Sequence, residues 1–421
     1  MPQNDSNSAP RFGYLLASYP TPFDPRAFDE ITALRRHGFV IETATLRPPD
    51  SSLPLTPAEA AESAATFIVL PHPSLFNFPR IVLHNIVILL RALFTTPLIF
   101  LRALIAAFTG PGLDLVQLFH AWLNLMDGLI LADWLRRRSL THLHIEGAGY
   151  IATTGRIAAR ALRIPYSLTV QGPSELFNPR RHNLRRKLAE AAFTLAGSHS
   201  ARAQLLRNAP PSVWPRIHLA GHGVDASFYP ARTPRSIAVP VQVLTLVPHL
   251  PHAGLPILLE AAAILARRGH PLHITIANNG PETLLLRSLT QSLGLAESVY
   301  FTGPLTAAQQ RDHLALADLL VVPSLADTLP PSIPAAMATQ LAVVATWGSG
   351  APQLITHNVD GILIPPGNAV ALADALESLF GDAPLRSRIG LAARQRVLDA
   401  CDRDTAIAAT AILFRAHIAA H

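Results

Sequence analysis

One cysteine, Cys401, and one lysine, Lys187, occur among 421 residues. A lone cysteine excludes an internal disulfide and fits a reducing compartment. With a single lysine, the formal charge of +6 rests almost wholly on arginine. Charged residues make up only 15% of the chain and hydrophobic ones 49%, so a sizeable core is available. The N-terminal stretch MPQNDSNSAPRFGYLLASYP has no basic start, no apolar run and no small-residue cleavage site, so no signal peptide is expected there. A basic balance points to nucleic acid, anionic lipid or a phosphorylated substrate. No RNA-binding signature, zinc-finger spacing or interleaving of arginine with aromatics is present, which sets nucleic acid aside and leaves lipid and diphosphate.

The length suits two domains. RFGYLLAS reads as a first strand, Arg26–Arg36 as a helix and FVIETATL as a second strand, the alternation of a parallel α/β sheet. THLHIEGAG, TTGRIAARALRIP and YSLTVQGPSELF repeat the sequence of strand, helix and strand. The Pro-rich, aperiodic stretch 232–240 reads as a linker. After it VQVLTLV forms a strand, PHLPHAG a loop and LPILLEAAAILARRG a helix, followed by LHITIANNGPE, VYFTGPL, ADLLVVPS, LAVVATWGSGAPQLI and NVDGILIPPGNAVALADAL. The expected organisation is a disordered lead at 1–10, a domain at 11–231 with an apolar insert at about 66–108, and a second domain at 241–395. Residues 396–421 are expected to carry a helix that packs back across the domain junction.

In this order the blocks resemble the retaining GT-B glycosyltransferases of the large bacterial family often called family 4, which builds polysaccharides and glycolipids. The resemblance implies two Rossmann-like α/β domains, with parallel sheets facing across a cleft, and a nucleotide-sugar co-substrate. It further implies a saccharide or lipid-linked acceptor, retention at the anomeric carbon, and neither cofactor nor metal. Where the family writes a pattern like VGRLVPKKG, its Arg and Lys fall on Pro248 and Ala253. Where it writes EGLPVVLMEAMA, this chain has DTLPPSIPAAMA, so the two acids fall on Asp327 and Ala335. An Arg–Lys pair stabilises the departing diphosphate, a contact of this kind being worth several kcal/mol, and the second Glu grips the ribose hydroxyls.

The resemblance therefore assigns the sugar-side acid to Asp327 and the donor loops to Gly254, Thr328, Leu329, Pro330 and Gly350. His249 and His252 each stand one position from a lost basic residue, and a protonated imidazole there could take over part of its work. In the N-terminal half the family's TAHGPDEF is matched by TVQGPSELF, so Gln171 replaces the catalytic-loop His while Gly172 and Glu175 fit. Gln hydrogen-bonds a sugar hydroxyl but cannot carry a proton. Tyr19 fits the family's opening, which resembles YPVLSETFILREI, and joins Gly172 and Glu175 on the acceptor side. The missing Arg, Lys, Glu and His leave a second reading open: a non-catalytic GT-B scaffold that binds a partner enzyme or glycan.

Three further signals are weaker. Gly147–Ala152 matches G-x-G-x-x-A after a strand, as in a dinucleotide site. That fingerprint belongs to a first βαβ unit with an acid closing the next strand, and here the next strand ends at Val170-Gln171. His142, His144 and Glu146 alternate along one strand, which raises the thought of a metal, although burial explains them as well. Arg80, Arg91 and Arg102 recur every 11 residues in an apolar stretch, close to three helical turns. Pro97 interrupts that stretch, and neither apolar run reaches the roughly 18 residues needed to cross a bilayer. An amphipathic element in the headgroup region is expected, with arginine toward anionic lipid and the protein cytoplasmic, peripheral at the inner face of the plasma membrane.

Overall fold

A computed structural model describes residues 10–22, 24–49, 54–70, 78–109, 115–172, 174–221, 223–232, 240–326 and 328–418. They form two compact units, one drawn from 1–197, 201–220 and 408–421, the other from 198–200 and 221–407.

The first unit is built on a seven-stranded parallel sheet of order β3-β2-β1-β4-β5-β6-β7. Its strands are β1 (Arg11–Ser18), β2 (Val40–Arg47), β3 (Phe67–Ile68), β4 (Leu143–Glu146), β5 (Tyr166–Val170), β6 (Thr194–Ala196) and β7 (Ile217–Leu219). A parallel sheet covered on both faces has no solvent side, and β5 is accordingly buried at every residue. The helices are α1 (Arg26–Arg36), α2 (Pro57–Ala65), α3 (Phe78–Thr95), α4 (Pro97–Phe108), α5 (Leu115–Arg137) and α6 (Tyr150–Leu162), with shorter helices after them. α2 starts on a capping box in which the Thr56 side chain takes the Glu59 amide and Glu59 takes the Thr56 amide. α3 ends at Thr95, and Pro97 opens α4 at a first-turn position, where its missing N–H costs nothing.

α5 is the one described helix long and apolar enough to cross a membrane, and half of that stretch is buried inside the unit. α4, α5 and α6 pack against one another. Arg156 of α6 fastens this layer, donating to Glu190 at 2.7 Å and to the Ala106 carbonyl of α4 at 3.0 Å. On the sheet's other flank Phe414, from the helix Arg403–Ile418, stacks on Phe12 at 5.2 Å and meets Phe193 edge-on at 5.5 Å.

The second unit carries a six-stranded parallel sheet of order β10-β9-β8-β11-β12-β13. These strands are β8 (Val241–Thr245), β9 (Leu272–Ala277), β10 (Val299–Gly303), β11 (Leu319–Val322), β12 (Ala342–Thr346) and β13 (Ile362–Ile364). Leu244, Ile274, Val321 and Val344 fill its core. In each sheet the strand order reverses once, between β1 and β4 and between β8 and β11. Ligands of open α/β sheets bind at the carboxyl ends of the strands beside such a reversal. The loops after β1, β4, β8 and β11 are therefore where chemistry belongs.

Candidate functional site

In the second unit the loops leaving β8 and β11 are knitted together by their backbones. The Leu325 amide donates to the His252 carbonyl at 2.8 Å. Gly254 has φ +70°, and a Cβ there would lie 2.0 Å from the Pro323 carbonyl oxygen, so only glycine lets the two loops touch. The loop after β12 joins them, with the Gly350 amide donating to the Thr328 carbonyl at 2.6 Å, and a Cβ on Gly350 would strike that same oxygen. Thr328 and Pro330 are buried and Leu329 is half-buried in this junction. Asp327, the expected sugar-side acid, lies outside the described residues.

The three positions onto which the resemblance sets an Arg, a Lys and a Glu differ among themselves. Pro248 is exposed, whereas Ala253 is 1% exposed and Ala335 6%, so two of the three are methyl groups built into the wall. His249 is fully buried. Its Nε2 faces the Ala277 carbonyl at 3.1 Å and its Nδ1 the Thr283 hydroxyl at 2.8 Å. Burial holds its pKa below the ordinary histidine value and disfavours the charged ring, and the two contacts lock the loop to β9 and the segment beyond it. His252 is half-buried. Sequence reasoning missed three hydroxyls at the carboxyl edge of this sheet. The side chains of Thr245, Ser324 and Ser332 are buried with no hydrogen-bond partner among the described residues. An unmade bond of this kind costs about 1–3 kcal/mol, which a polar ligand can recover.

The first unit gathers a hydrogen-bonded acid cluster at the β1/β4 reversal. The Tyr14 hydroxyl lies 2.9 Å from Glu146 Oε2 and 3.1 Å from Glu30 Oε1, and the Gln171 side-chain amide donates to Glu146 Oε1 at 2.7 Å. Tyr14 has one proton to give, so its two carboxyl contacts require one of the glutamates to be protonated. Burial, and then the repulsion of Glu146, pushes Glu30 above the usual carboxylate range, and burial raises Glu146 as well. Arg26, engaged with Asp24 at 2.7 and 2.5 Å, supplies the compensating field. Of these groups, only Gln171 was singled out for catalysis by the sequence. Gln171 and Gly172 are half-buried at the end of β5. Tyr19, by contrast, is 1% exposed, directly follows β1, precedes a cis Tyr19–Pro20 bond, and keeps its hydroxyl inside.

Glu175 plugs the glycine loop. Its Oε1 accepts the Ala148 amide at 3.1 Å and the Gly149 amide at 3.2 Å, while Lys187 Nζ donates to the carbonyls of the same two residues at 2.8 and 2.6 Å. The amides that would cradle a pyrophosphate are thus taken by the chain's own carboxylate at the start of α6, which removes the dinucleotide reading of Gly147–Ala152. Burial raises Glu175, and burial lowers Lys187 to about 7 against the pull of Glu175. His142 and His144 are likewise internal. Both rings meet the Ser167 hydroxyl, at 2.8 and 2.7 Å, and among the described residues no group of three His, Cys, Asp or Glu could hold a metal ion. Burial explains the alternation along β4. The arginine stripe is broken, since Arg91 stands on α3 and Arg102 on α4, and the side chain of Arg80 lies outside the described set.

Residues 240–396 match the family described as Glycosyl transferases group 1. The chain is 28% identical over 274 residues to an alpha-D-kanosaminyltransferase of Streptomyces kanamyceticus, covering 59% of this chain and 69% of that protein. It is 30% identical over 309 residues to a D-inositol 3-phosphate glycosyltransferase of Arthrobacter, covering 67% of this chain and 72% of that protein. It spans less than half the length of further matching glycosyltransferases of amylovoran and colanic acid biosynthesis. Among solved structures it superposes on Anabaena Alr3699/HepE, a crystal structure in complex with UDP-glucose, with a TM-score of 0.69 and 16% identity, over 95% of this chain and 98% of that one. The two parallel-sheet units and these neighbours make the fold GT-B.

Proposed function

This chain belongs to the group 1 glycosyl transferases, and from that membership we propose that it moves a sugar from a nucleotide donor to a saccharide or lipid-linked acceptor with retention at the anomeric carbon. The observation that carries the reading is the β8/β11 reversal. Within the matched segment three loops meet through Gly254, His252, Thr328 and Gly350 at the carboxyl ends of the strands, beside buried hydroxyls that have no hydrogen-bond partner among the described residues. A structural neighbour of the same fold was solved with UDP-glucose, which supports a nucleotide-sugar for this edge. In this reading Gly254, Thr328, Leu329, Pro330 and Gly350 shape the donor pocket, Asp327 attends the sugar, and His249 keeps the first loop in place. In the first unit Gln171 presents an amide backed by Glu146 to an acceptor hydroxyl. Gly172 shares its loop, while Tyr19 and Glu175 act from within by fixing the strand ends and the glycine loop.

With methyl groups at Ala253 and Ala335 and no guanidinium at Pro248, the donor grip is weaker than a diphosphate normally receives. The same losses support a second reading, a GT-B scaffold without turnover. Calorimetric titration with UDP, GDP and their sugars, followed by assay for released nucleotide in the presence of lipid-linked saccharide, separates the two. Binding of one nucleotide sugar, weaker than submicromolar, together with turnover that Asp327→Asn abolishes is expected. Absence of binding to every nucleotide sugar would sink the transferase reading and leave the scaffold.

A further inference from the structure

α4 and α6 enclose a groove of about 410 Å³ lined by Arg102, Ile105, Ala159, Arg160, Arg163 and Ile164. Its charge is far from balanced. Arg156, Arg160 and Arg186 all turn to the one Glu190 carboxylate, at 2.7, 3.8 and 2.8 Å, and among the described residues neither Arg102 nor Arg163 has an ion-pair partner. The groove's lining carries three guanidinium groups and no carboxylate, and of the three only Arg160 reaches Glu190, at 3.8 Å. The groove sits by the carboxyl end of α6, whose dipole amounts to roughly half a negative charge, too little to offset them.

Beside the groove the helices expose apolar side chains. Leu98, Leu101 and Ile105 share one face of α4 and are at least half exposed, and Phe94 at the end of α3 is 77% exposed. α5, packed on both helices, begins with the exposed Leu115 and Phe119. From Glu62 to Asp114 the sequence has no intervening acid. Clustered exposed apolar side chains mark interaction surfaces, and no carboxylate on this stretch would repel an anionic sheet of headgroups.

We infer that this face docks on an anionic bilayer, with a lipid phosphate held in the groove by Arg102, Arg160 and Arg163 while Phe94, Leu98 and Leu101 enter the acyl boundary. The arginine stems lie along Ile105 and Ile164 and keep their charged heads at headgroup level. The site is separate from the donor and acceptor loops and stands whether or not the chain turns over sugar. It also differs from a stripe along one helix, because its cations come from α4 and α6 together.

The test is flotation of the full chain with vesicles of phosphatidylcholine alone and of phosphatidylcholine mixed with phosphatidylglycerol. Wild-type protein is expected to float with the mixed vesicles, and added salt is expected to weaken the association. Each arginine-to-glutamine change should cost about fivefold in partitioning, and Arg102→Gln/Arg160→Gln/Arg163→Gln together about a hundredfold. Leu98→Gln/Leu101→Gln should also release the protein from vesicles while leaving groove binding of short-chain phosphatidylglycerol intact. All these side chains are accessible, so thermal melts should not move. If the triple variant melts early, displacement of wild-type protein from vesicles by short-chain phosphatidylglycerol, and not by glycerol phosphate, stands in for it. Equal binding to both vesicle types, binding of inorganic phosphate without vesicle binding, or a dimer sealed by the Leu98 face would each overturn the proposal.

Discussion

Gln171 donates its side-chain amide to Glu146 over 2.7 Å, so its side chain is oriented by a carboxyl on the neighbouring strand. Glu146 receives a second bond from Tyr14 on the other side of β4. Gln171→Leu would leave one carboxyl oxygen of Glu146 without its donor, in a half-buried setting. A loss of about 1 kcal/mol of stability is expected. Transfer should fall more steeply than stability, because the amide offered to an acceptor hydroxyl goes with the side chain. Denaturant unfolding alongside turnover checks both, and unchanged turnover would mean that Gln171 only braces Glu146.

Lys187 provides a pH signature. Folding lowers its pKa from 10.5 to about 7, so between those values the unfolded chain still holds a proton that the native chain has released. Stability contributed by this group therefore rises with pH across that window, by up to about 1.4 kcal/mol per unit, and is lost as pH falls toward 7. Urea unfolding of wild type against Lys187→Met should show the difference growing in favour of wild type from neutral to alkaline pH. A constant difference would show that Lys187 stays charged beside Glu175.

The regular skeleton was readable from pattern, because β1, α1 and β2 follow the periods of strand and helix, and the break at Pro97 follows from its ring. α5 was not readable in the same way. Apolar residues run all round it, so no face announces itself. The acid cluster was invisible for a different reason. Tyr14 and Glu146 are separated by 132 residues, and only the parallel pairing of β1 with β4 brings them together. Glu175 likewise reaches its loop amides from 26 and 27 residues away, so a glycine pattern that suits a phosphate gave no sign of its internal occupant. His249 looked like a spare cation because its partners lie 28 and 34 residues further on.

That placement of His249 fixes the pH response of donor binding. Its ring is buried, bonded at both nitrogens and held below the usual histidine pKa, so burial disfavours its charged form. Nucleotide-sugar affinity should consequently show no His249-dependent gain as pH falls from about 8 to about 5.5. His249→Ala should instead destabilise the second unit by about 2–3 kcal/mol, through the cavity and the unpaired Ala277 carbonyl. Calorimetric titration at several pH values and a thermal melt decide the matter. Binding that tightens on acidification in wild type and not in His249→Ala would show that the ring turns outward when ligand is present.

Restoring the lost polar groups one at a time separates weakened enzyme from scaffold more sharply than restoring them together. Pro248 is exposed, so Pro248→Arg can place a guanidinium at the loop without disturbing the wall, and it should strengthen nucleotide-sugar binding with no change in melting temperature. Ala253 and Ala335 are buried, and a longer charged side chain at either must displace its neighbours, at a cost of about 1–3 kcal/mol. Ala253→Lys and Ala335→Glu should therefore lower the melting temperature of the free protein, and added nucleotide sugar should recover it only if the ligand meets the new charge. Differential scanning fluorimetry with and without UDP-sugar and GDP-sugar reads this directly. If Pro248→Arg leaves affinity unchanged and neither buried variant is rescued by any sugar nucleotide, the β8/β11 edge does not bind a diphosphate.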